Sequence, residues 1–587
     1  MERLSGMDAF FLYLESPSQQ MHVTLCAVLD PAEMPGGYSY DRIRTHIAGR
    51  VHLIPPFTRT LVPVPLNVHH PLWAEDPGFH LDHHVRRAAL PAPGSQSQLA
   101  ALTARIAEAP LDRSKPLWEM WVIEGLEGGL VALVAKVHHS ALDGVAGVEQ
   151  LVTLFDFERV PEPVADDGPP DDASADDQAD VQADGQLHGQ ADGQLDAPVD
   201  GELDGQADDH ADDPLADAAQ ALPAGAAPPG KEVPSDLELV AYATVARAIG
   251  IAEVLPLVGR TVGAVWAVRR TRTEIRRPNP YAVERPADSV VVPTGSTPVV
   301  DDRDTTGATP LTAPATPLNG KITGGRRVAF ARVALDDIKQ ARAAVPGATI
   351  NDVILAICAG GLRRYLLARH GLPEAPLVAA CPVNVRAAHQ QGRADNRISA
   401  LFTDLPTHVA DPVQRLVATQ KAAAAAKREH AIFSPDTLQR WAEVADPTLV
   451  SWLANAYVGL GLTERHPPAM NVMISNVPGP AFPLYLAGAE LVRAYPMGQI
   501  IEGVGLNITV MSYRDGVDFG LMAAANLLPD VADLAADLEA DFADLVAATA
   551  PPSSRTRGRT TAAKRSAPAA RKRTPSGPTR DGSPPAE

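Results

Sequence analysis

The stretch Val131-Ala132-Leu133-Val134-Ala135-Lys136-Val137-His138-His139-Ser140-Ala141-Leu142-Asp143-Gly144 decides how the rest of this chain is read. Leu130–Val137 is rich in branched apolar residues and predicts a strand. It runs into two adjacent histidines, and an Asp-Gly pair begins four residues after the second. Successive side chains of an extended segment point to opposite sides. One imidazole can therefore face a cleft while its neighbour packs inward. Gly144 accepts backbone angles closed to other residues, so the chain can turn sharply behind the histidines.

Three readings compete for this pattern. A metal site is poorly served, because adjacent histidines diverge and the i, i+4 pairing of helical zinc sites is absent. A nucleophilic triad needs a presented Ser or Cys, and there is no Gly-x-Ser-x-Gly elbow. The third reading is an ordinary strand end. His69-His70 and His83-His84 are also adjacent pairs, yet five residues after the first histidine they carry Ala74 and Ala88 where this segment has Asp143. The local pattern alone leaves catalysis and packing both open.

Outward from this segment, residues 1–155 predict a mixed α/β unit, with a further strand at Leu61–Val68 and a helix at Ser97–Ala109. The character changes over 156–235. Asp184-Gly185-Gln186-Leu187, Asp192-Gly193-Gln194-Leu195 and Asp200-Gly201-Glu202-Leu203 recur every eight residues. Such sequence buries too little apolar surface to offset chain entropy, so disorder is expected. A calcium repeat is the alternative, but neither EF-hand spacing nor a Gly-rich nonapeptide is present. Residues 236–324 combine an apolar helical segment, closed by Arg269, Arg270, Arg272, Arg276 and Arg277, with a Pro/Thr-rich linker. A second folded unit is expected over 325–550. It has strands at Arg327–Val333 and Leu377–Val385, and helices from Asp336, over Ile350–His370, Asp411–Glu429 and Val531–Thr549. The tail, 551–587, is basic, Pro/Ser/Ala-rich and expected to be unstructured.

A chain of 587 residues exceeds what one hydrophobic core holds. Its net charge of −20 says little about partners once located. Residues 161–220 alone carry nineteen acids and no Lys or Arg, while the tail carries nine bases against two acids. Nothing there points to nucleic acid. Cys26, Cys358 and Cys381 are isolated, which suits a reducing compartment and neither a disulfide framework nor a zinc site. The first fourteen residues lack the basic-then-apolar order of a signal peptide. The nearest approach to a membrane span, Pro447–Thr463, is uncharged but broken by Ser451, Asn455 and two glycines, so a cytoplasmic protein is expected.

Several segments fall in a fixed order: Leu4-Ser5-Gly6-Met7-Asp8-Ala9-Phe10-Phe11 with Met21-His22-Val23, then Pro116-Leu117-Trp118, the histidine segment, Asn351-Asp352, and Ser475-Asn476-Val477-Pro478-Gly479-Pro480. His138–Gly144 resembles the HHxxxDG motif of the coenzyme-A-dependent acyltransferase superfamily. The remaining segments resemble the PLW, ND and SNVPGP patterns and the N-terminus of the bacterial wax ester synthase/diacylglycerol acyltransferase family. The likeness covers most of 1–155 and 319–550, and leaves out the acidic insert and the tail. Each segment also has a plain structural reading. Trp118 suits a core, Asn351 and Asp352 after Thr349 suit a helix cap, and the SNVPGP segment suits a rigid loop after a strand that shapes a cleft.

The resemblance implies an α/β fold of two chloramphenicol-acetyltransferase-like mixed-sheet subdomains with a tunnel between them. It implies transfer of a long acyl chain from coenzyme A to the hydroxyl of a diacylglycerol or a fatty alcohol. His139 would be the general base, with His138, Asp143 and Gly144 supporting it and Asp143 tied to an arginine. Pro116, Leu117, Trp118, Ser475, Asn476, Pro478 and Gly479 become candidates for lining the substrate path, and Asn351 and Asp352 for structural support. The thioester oxyanion needs donors, for which Asn476 or a nearby backbone N–H is the candidate. No metal or resident cofactor is implied, since acyl-CoA is a co-substrate. Lipid acceptors imply peripheral contact with a membrane or droplet, served by the Arg269–Arg277 cluster and the basic tail. Two other readings stand beside this one. Condensation-type transfer to an amine or carrier thiol shares only the histidine motif, and a droplet-coating protein would bind lipid without turnover.

Overall fold

The computed structural model describes residues 2–65, 69–142, 150–160, 313–369, 371–384, 398–430 and, with short gaps before 465, 450–550. All of these belong to one compact unit. Asp143, Gly144, the acidic insert, the Arg269–Arg277 cluster and the basic tail lie outside the described residues.

Two six-stranded mixed sheets form the frame. In the first, β2 (His22–Asp30), β5 (Val85–Ala89), β6 (Trp118–Glu124) and β7 (Val131–His138) come from the N-terminal part. They are joined by β12 (Tyr485–Leu486) and β13 (Ala489–Met497), in the order β12-β13-β2-β7-β6-β5. The second sheet runs β10 (Ile398–Leu405), β9 (Leu377–Asn384), β11 (Val472–Pro478), β14 (Leu506–Tyr513), β15 (Gly516–Ala524), β8 (Arg326–Ala334). The fold class is therefore α/β with two mixed sheets.

The sequence boundary at 325 is not the boundary between the sheets. After β11 the chain leaves the second sheet, adds β12 and β13 antiparallel to the edge of the first, and returns for β14. Without β13, β2 would be an edge strand with free ladder groups; β13 covers them from Thr24 to Asp30. The crossing is close: a Cβ on Gly520 in β15 would lie 2.0 Å from the Pro496 carbonyl oxygen of β13, so only glycine fits there. The Ala494 N–H donates to the buried Asp518 carboxylate at 2.9 Å, which also pairs with Arg332 at 2.8 Å. Burial pushes the Asp518 carboxyl above its ordinary range, against those two contacts.

Helix α3 (Gln96–Glu108) opens on a capping box in which Ser95 and Gln98 satisfy each other's backbone N–H groups. Its apolar face, including Leu99 and Ile106, shares one core with Val328 and Phe330 of β8 and Tyr495 of β13. The two halves of the sequence are thus welded through a common interior. Strand β7 is buried at every residue, its apolar run Val131–Ala135 and also Lys136 and His138. Of the strand predicted at 61–68, residues 66–68 lie outside the described residues; through residue 65 it is realised only in β3 (Arg59–Val62), because Pro63 and Pro65 cannot donate to a ladder. Among the described residues the other predicted helices appear as α4 (Leu335–Ala343), α5 (Ile350–Arg369), α6 (Pro412–His430) and α7 (Val531–Thr549).

Candidate active site

β7 delivers its histidines at the point where it leaves the sheet. His138 is the last strand residue, opposite His22 of β2, and its N–H donates to the Leu117 carbonyl at 2.9 Å. The His139 N–H donates to the Met21 carbonyl at 2.8 Å, so backbone on both sides fixes the pair. Both side chains are buried, at 1% and 6% exposure.

The two rings are held differently. His138 Nδ1 accepts the Ser140 backbone N–H at 3.1 Å, with the Ser140 hydroxyl 2.7 Å from the same nitrogen. That places the His138 proton on Nε2. Nε2 has no hydrogen-bond partner, and Glu15 Oε2 stands 3.8 Å away. Burial, then the Arg113 guanidinium and His22, hold His138 well below the ordinary histidine value. The His139 ring lies flat against Phe11 of α1 (Gly6–Leu14), with centroids 4.0 Å apart and 17° between planes. Burial lowers its pKa to about 4. At neutral pH it is an uncharged imidazole, able to take a proton.

The flanking elements are tied down by buried polar groups. His22 reaches the Ala107 carbonyl at 2.5 Å, and Lys136 donates to the carbonyls of Ile106 and Ala109 at 3.1 and 3.0 Å. The carbonyls at the end of α3 are thereby satisfied from β2 and β7. A cleft of about 760 Å³ is lined by Glu15 and Arg113 together with Gln20, Glu108, Gly324 and Gly325, and not by the histidines themselves.

Pro116, Leu117 and Trp118 are buried. Trp118 is stacked between Phe57 and His84, at 4.6 and 4.5 Å, and donates its indole N–H to the Phe57 carbonyl at 2.9 Å. The structure gives this segment packing work, and one backbone carbonyl that holds His138. Asn351 and Asp352 open α5: Asp352 accepts the Thr349 N–H at 2.8 Å, and Thr349 Oγ1 accepts the Asp352 N–H at 3.2 Å. Ser475, Asn476 and Pro478 are not in a loop, as the two prolines suggested, but within β11, whose parallel pairing with β14 runs to Pro478. Asn476 Nδ2 lies 3.5 Å from Asn351 Oδ1, so two motifs 125 residues apart meet. A Cβ on Gly479 would lie 2.2 Å from the Ser512 carbonyl oxygen, which explains the glycine.

The wax ester synthase/diacylglycerol acyltransferase catalytic domain is matched over residues 4–230 and 270–354, and the WS/DGAT C-terminal domain over 394–546. The chain belongs to the wax ester synthase/diacylglycerol acyltransferase family. The first match runs on through 161–230, beyond the N-terminal residues that carry the motifs. A Mycobacterium tuberculosis (H37Rv) protein named "Putative diacyglycerol O-acyltransferase" is 35% identical over 536 residues, 90% of this chain and 87% of the relative. A second protein of that name from the same strain is 32% identical over 93% of this chain and 98% of its own. The solved wax ester synthase/diacylglycerol acyltransferase from Marinobacter aquaeolei VT8 superposes with a TM-score of 0.56 at 25% identity, covering 94% of this chain and all of that one. The chain is thus an acyl-CoA-dependent acyltransferase of this family.

Phe11, Glu15, Arg113 and Ser140 escaped the sequence reading as site residues. Phe11 stood inside the N-terminal resemblance without a role. Nothing in spacing joins Glu15 to Arg113, since 98 residues separate them.

Proposed function

We propose that this protein transfers a long-chain acyl group from acyl-CoA to the hydroxyl of a diacylglycerol, a fatty alcohol or both, with His139 as general base. The observation that carries the reading is the His139 imidazole: buried, uncharged at neutral pH, stacked on Phe11, and placed in the HHxxxDG segment of a member of this family. As the alcohol oxygen attacks the thioester carbonyl, His139 takes its proton. The oxyanion collapses, the C–S bond breaks, and the imidazolium returns the proton to the departing thiolate. No acyl-enzyme forms, so donor and acceptor are bound together. His138, its proton on Nε2 and its Nδ1 held by Ser140, supports the turn rather than the chemistry. Asp143 and Gly144, the rest of the motif, are assigned a supporting role by the resemblance. Asn476 is the candidate oxyanion donor on the second sheet.

Because such acceptors reside in membranes or droplets, the enzyme works at a lipid surface. Among the described residues no helix is long and apolar enough to cross a membrane. The deciding experiment is an acyl-transfer assay with purified protein and palmitoyl-CoA, offered a diacylglycerol and a fatty alcohol separately. Ester formation with either supports the reading, and the ratio assigns the acceptor. Turnover only with an amine or a carrier thiol, or with nothing, removes it.

A further inference from the structure

Both histidines lean on a small group of contacts that centres on Arg113 and Glu15. The Arg113 guanidinium donates through Nε to Glu15 Oε2 at 3.0 Å and through Nη2 to the same carboxylate. Nη2 also donates to the Leu12 carbonyl at 2.9 Å. Leu12 lies in the last turn of α1, which contains no basic residue of its own. Arg113 therefore supplies from another segment the positive charge that the end of a helix favours. The next residue back along α1 from Leu12 is Phe11, whose ring lies on His139.

Glu15 extends the connection in two further directions. Its Oε1 accepts the Met21 N–H at 3.5 Å, and the Met21 carbonyl accepts the His139 N–H at 2.8 Å. Its Oε2 stands 3.8 Å from His138 Nε2. One guanidinium thus braces the ring contact of His139, the backbone contact of His139 and the carboxylate that stands by His138. Arg113 is 48% exposed while Glu15 is 14% exposed, so the brace sits at the wall of the cleft with its anion turned inward.

We propose that Arg113 is a positioning residue for the histidine pair: it holds the end of α1 and Glu15 so that Phe11 sets the plane of the His139 ring. The role rests on the reading above, in which His139 is the base. An exposed ion pair adds little to stability, so the effect belongs in turnover. A base displaced by about 1 Å costs on the order of 10²-fold in rate.

The test measures kcat and KM with palmitoyl-CoA and the preferred acceptor, alongside the rate at which diethyl pyrocarbonate labels His139, read by mass spectrometry. Arg113→Gln is expected to lower kcat by roughly 10–100-fold and to leave the KM for acyl-CoA within about threefold. His139 labelling should be faster in the variant. Arg113→Lys should recover a good part of kcat, because its ammonium reaches Glu15 although it lacks the fork. Phe11→Leu removes the stack while leaving Arg113 in place, and should reproduce both the kcat loss and the faster labelling. Wild-type kcat in Arg113→Gln, a loss confined to KM, no recovery with lysine, or unchanged kcat in Phe11→Leu each overturns the proposal. If the wild-type protein turns over no acceptor, the reaction fails as a reading. The labelling rates then judge Arg113 alone: equal rates in wild type and Arg113→Gln overturn it, faster labelling in the variant upholds it.

Discussion

The two sheets each bring a motif to the end of a strand, and the two corners are built for different work. At the end of β7, His138 and His139 are taken out of water, pushed to their neutral forms and fixed by backbone hydrogen bonds to Leu117 and Met21. One of those imidazoles keeps a buried nitrogen without a hydrogen-bond partner, a cost that folding alone does not explain. At the end of β11, Asn476 is exposed and already shares its amide with Asn351, Asp352 closes a helix cap, and Gly479 makes room for Ser512. The first corner spends stability to present a reactive group. The second spends its residues on closing structure, with Asn476 and Pro478 left facing outward.

The largest expected effect separates the corners directly. His139→Ala should lower kcat by roughly 10²–10⁴-fold, the usual contribution of a positioned base, with the circular dichroism spectrum unchanged. His138→Ala should lose less. Asn476→Ala should lose less than His139→Ala. Equal losses at His139 and Asn476 would mean that the second corner shares in the chemistry and the contrast is drawn in the wrong place.

Next comes Trp118, which stacks in the core between Phe57 and His84. Trp118→Ala should cost roughly 3–5 kcal/mol in urea unfolding through the cavity it leaves. A substrate-binding role would instead raise KM at little cost to stability. A variant with a wild-type unfolding midpoint and a raised KM would return Trp118 to the substrate path.

Acid should weaken the first corner selectively. His22 and His139 have pKa values lowered to about 3 and about 4, and His138 is held well below the ordinary value. Between these values and 6.5 the unfolded chain binds protons that the folded chain refuses. Stability is therefore fully present above pH 6.5 and lost as pH falls through that window. At pH 5 His22 and His139 each account for roughly 2 kcal/mol. Urea midpoints at pH 7 and pH 5 should differ, and His22→Asn should narrow the difference. The acid limb of kcat/KM should lie below pH 6, nearer 4 than the 6.5 of a free imidazole. A limb near 6.5 would contradict the buried, neutral base.

Much of this was legible in the sequence because it is local. Strand β7 runs Val131–His138 where branched residues predicted 130–137, and the helix predicted over 350–370 runs Ile350–Arg369. Both signals are periodic apolar runs ended by polar residues. What was not legible depends on contacts between distant segments. Glu15 and Arg113 carry no pattern until α1 and the segment after α3 are brought together. β13 is not singled out as a strand in the sequence, and nothing local assigns it to the first sheet, where it pairs with β2. The prolines of the SNVPGP segment suggested a loop, but Pro478 is the last residue of β11, a position where a missing N–H costs little.

The smallest expected effect tests the structural corner on its own terms. Thr349 and Asp352 exchange hydrogen bonds across the first turn of α5, at 2.8 and 3.2 Å, in the manner of a capping box with aspartate in place of glutamate. Asp352 is 4% exposed, and α5 is a central helix of the second core, packed through Val353, Ile354 and Ile357. Thr349→Ala removes the hydroxyl that caps the first turn and should cost about 1 kcal/mol. Turnover per folded molecule should stay near the wild-type value, because no part of the cap reaches the histidines. Asn351→Ala should cost less still in stability, since its 3.5 Å contact to Asn476 is long and exposed. If Thr349→Ala unfolded normally but lost turnover, the cap would be holding Asn351 for Asn476. The second corner would then be a preorganised part of the active site rather than a seam.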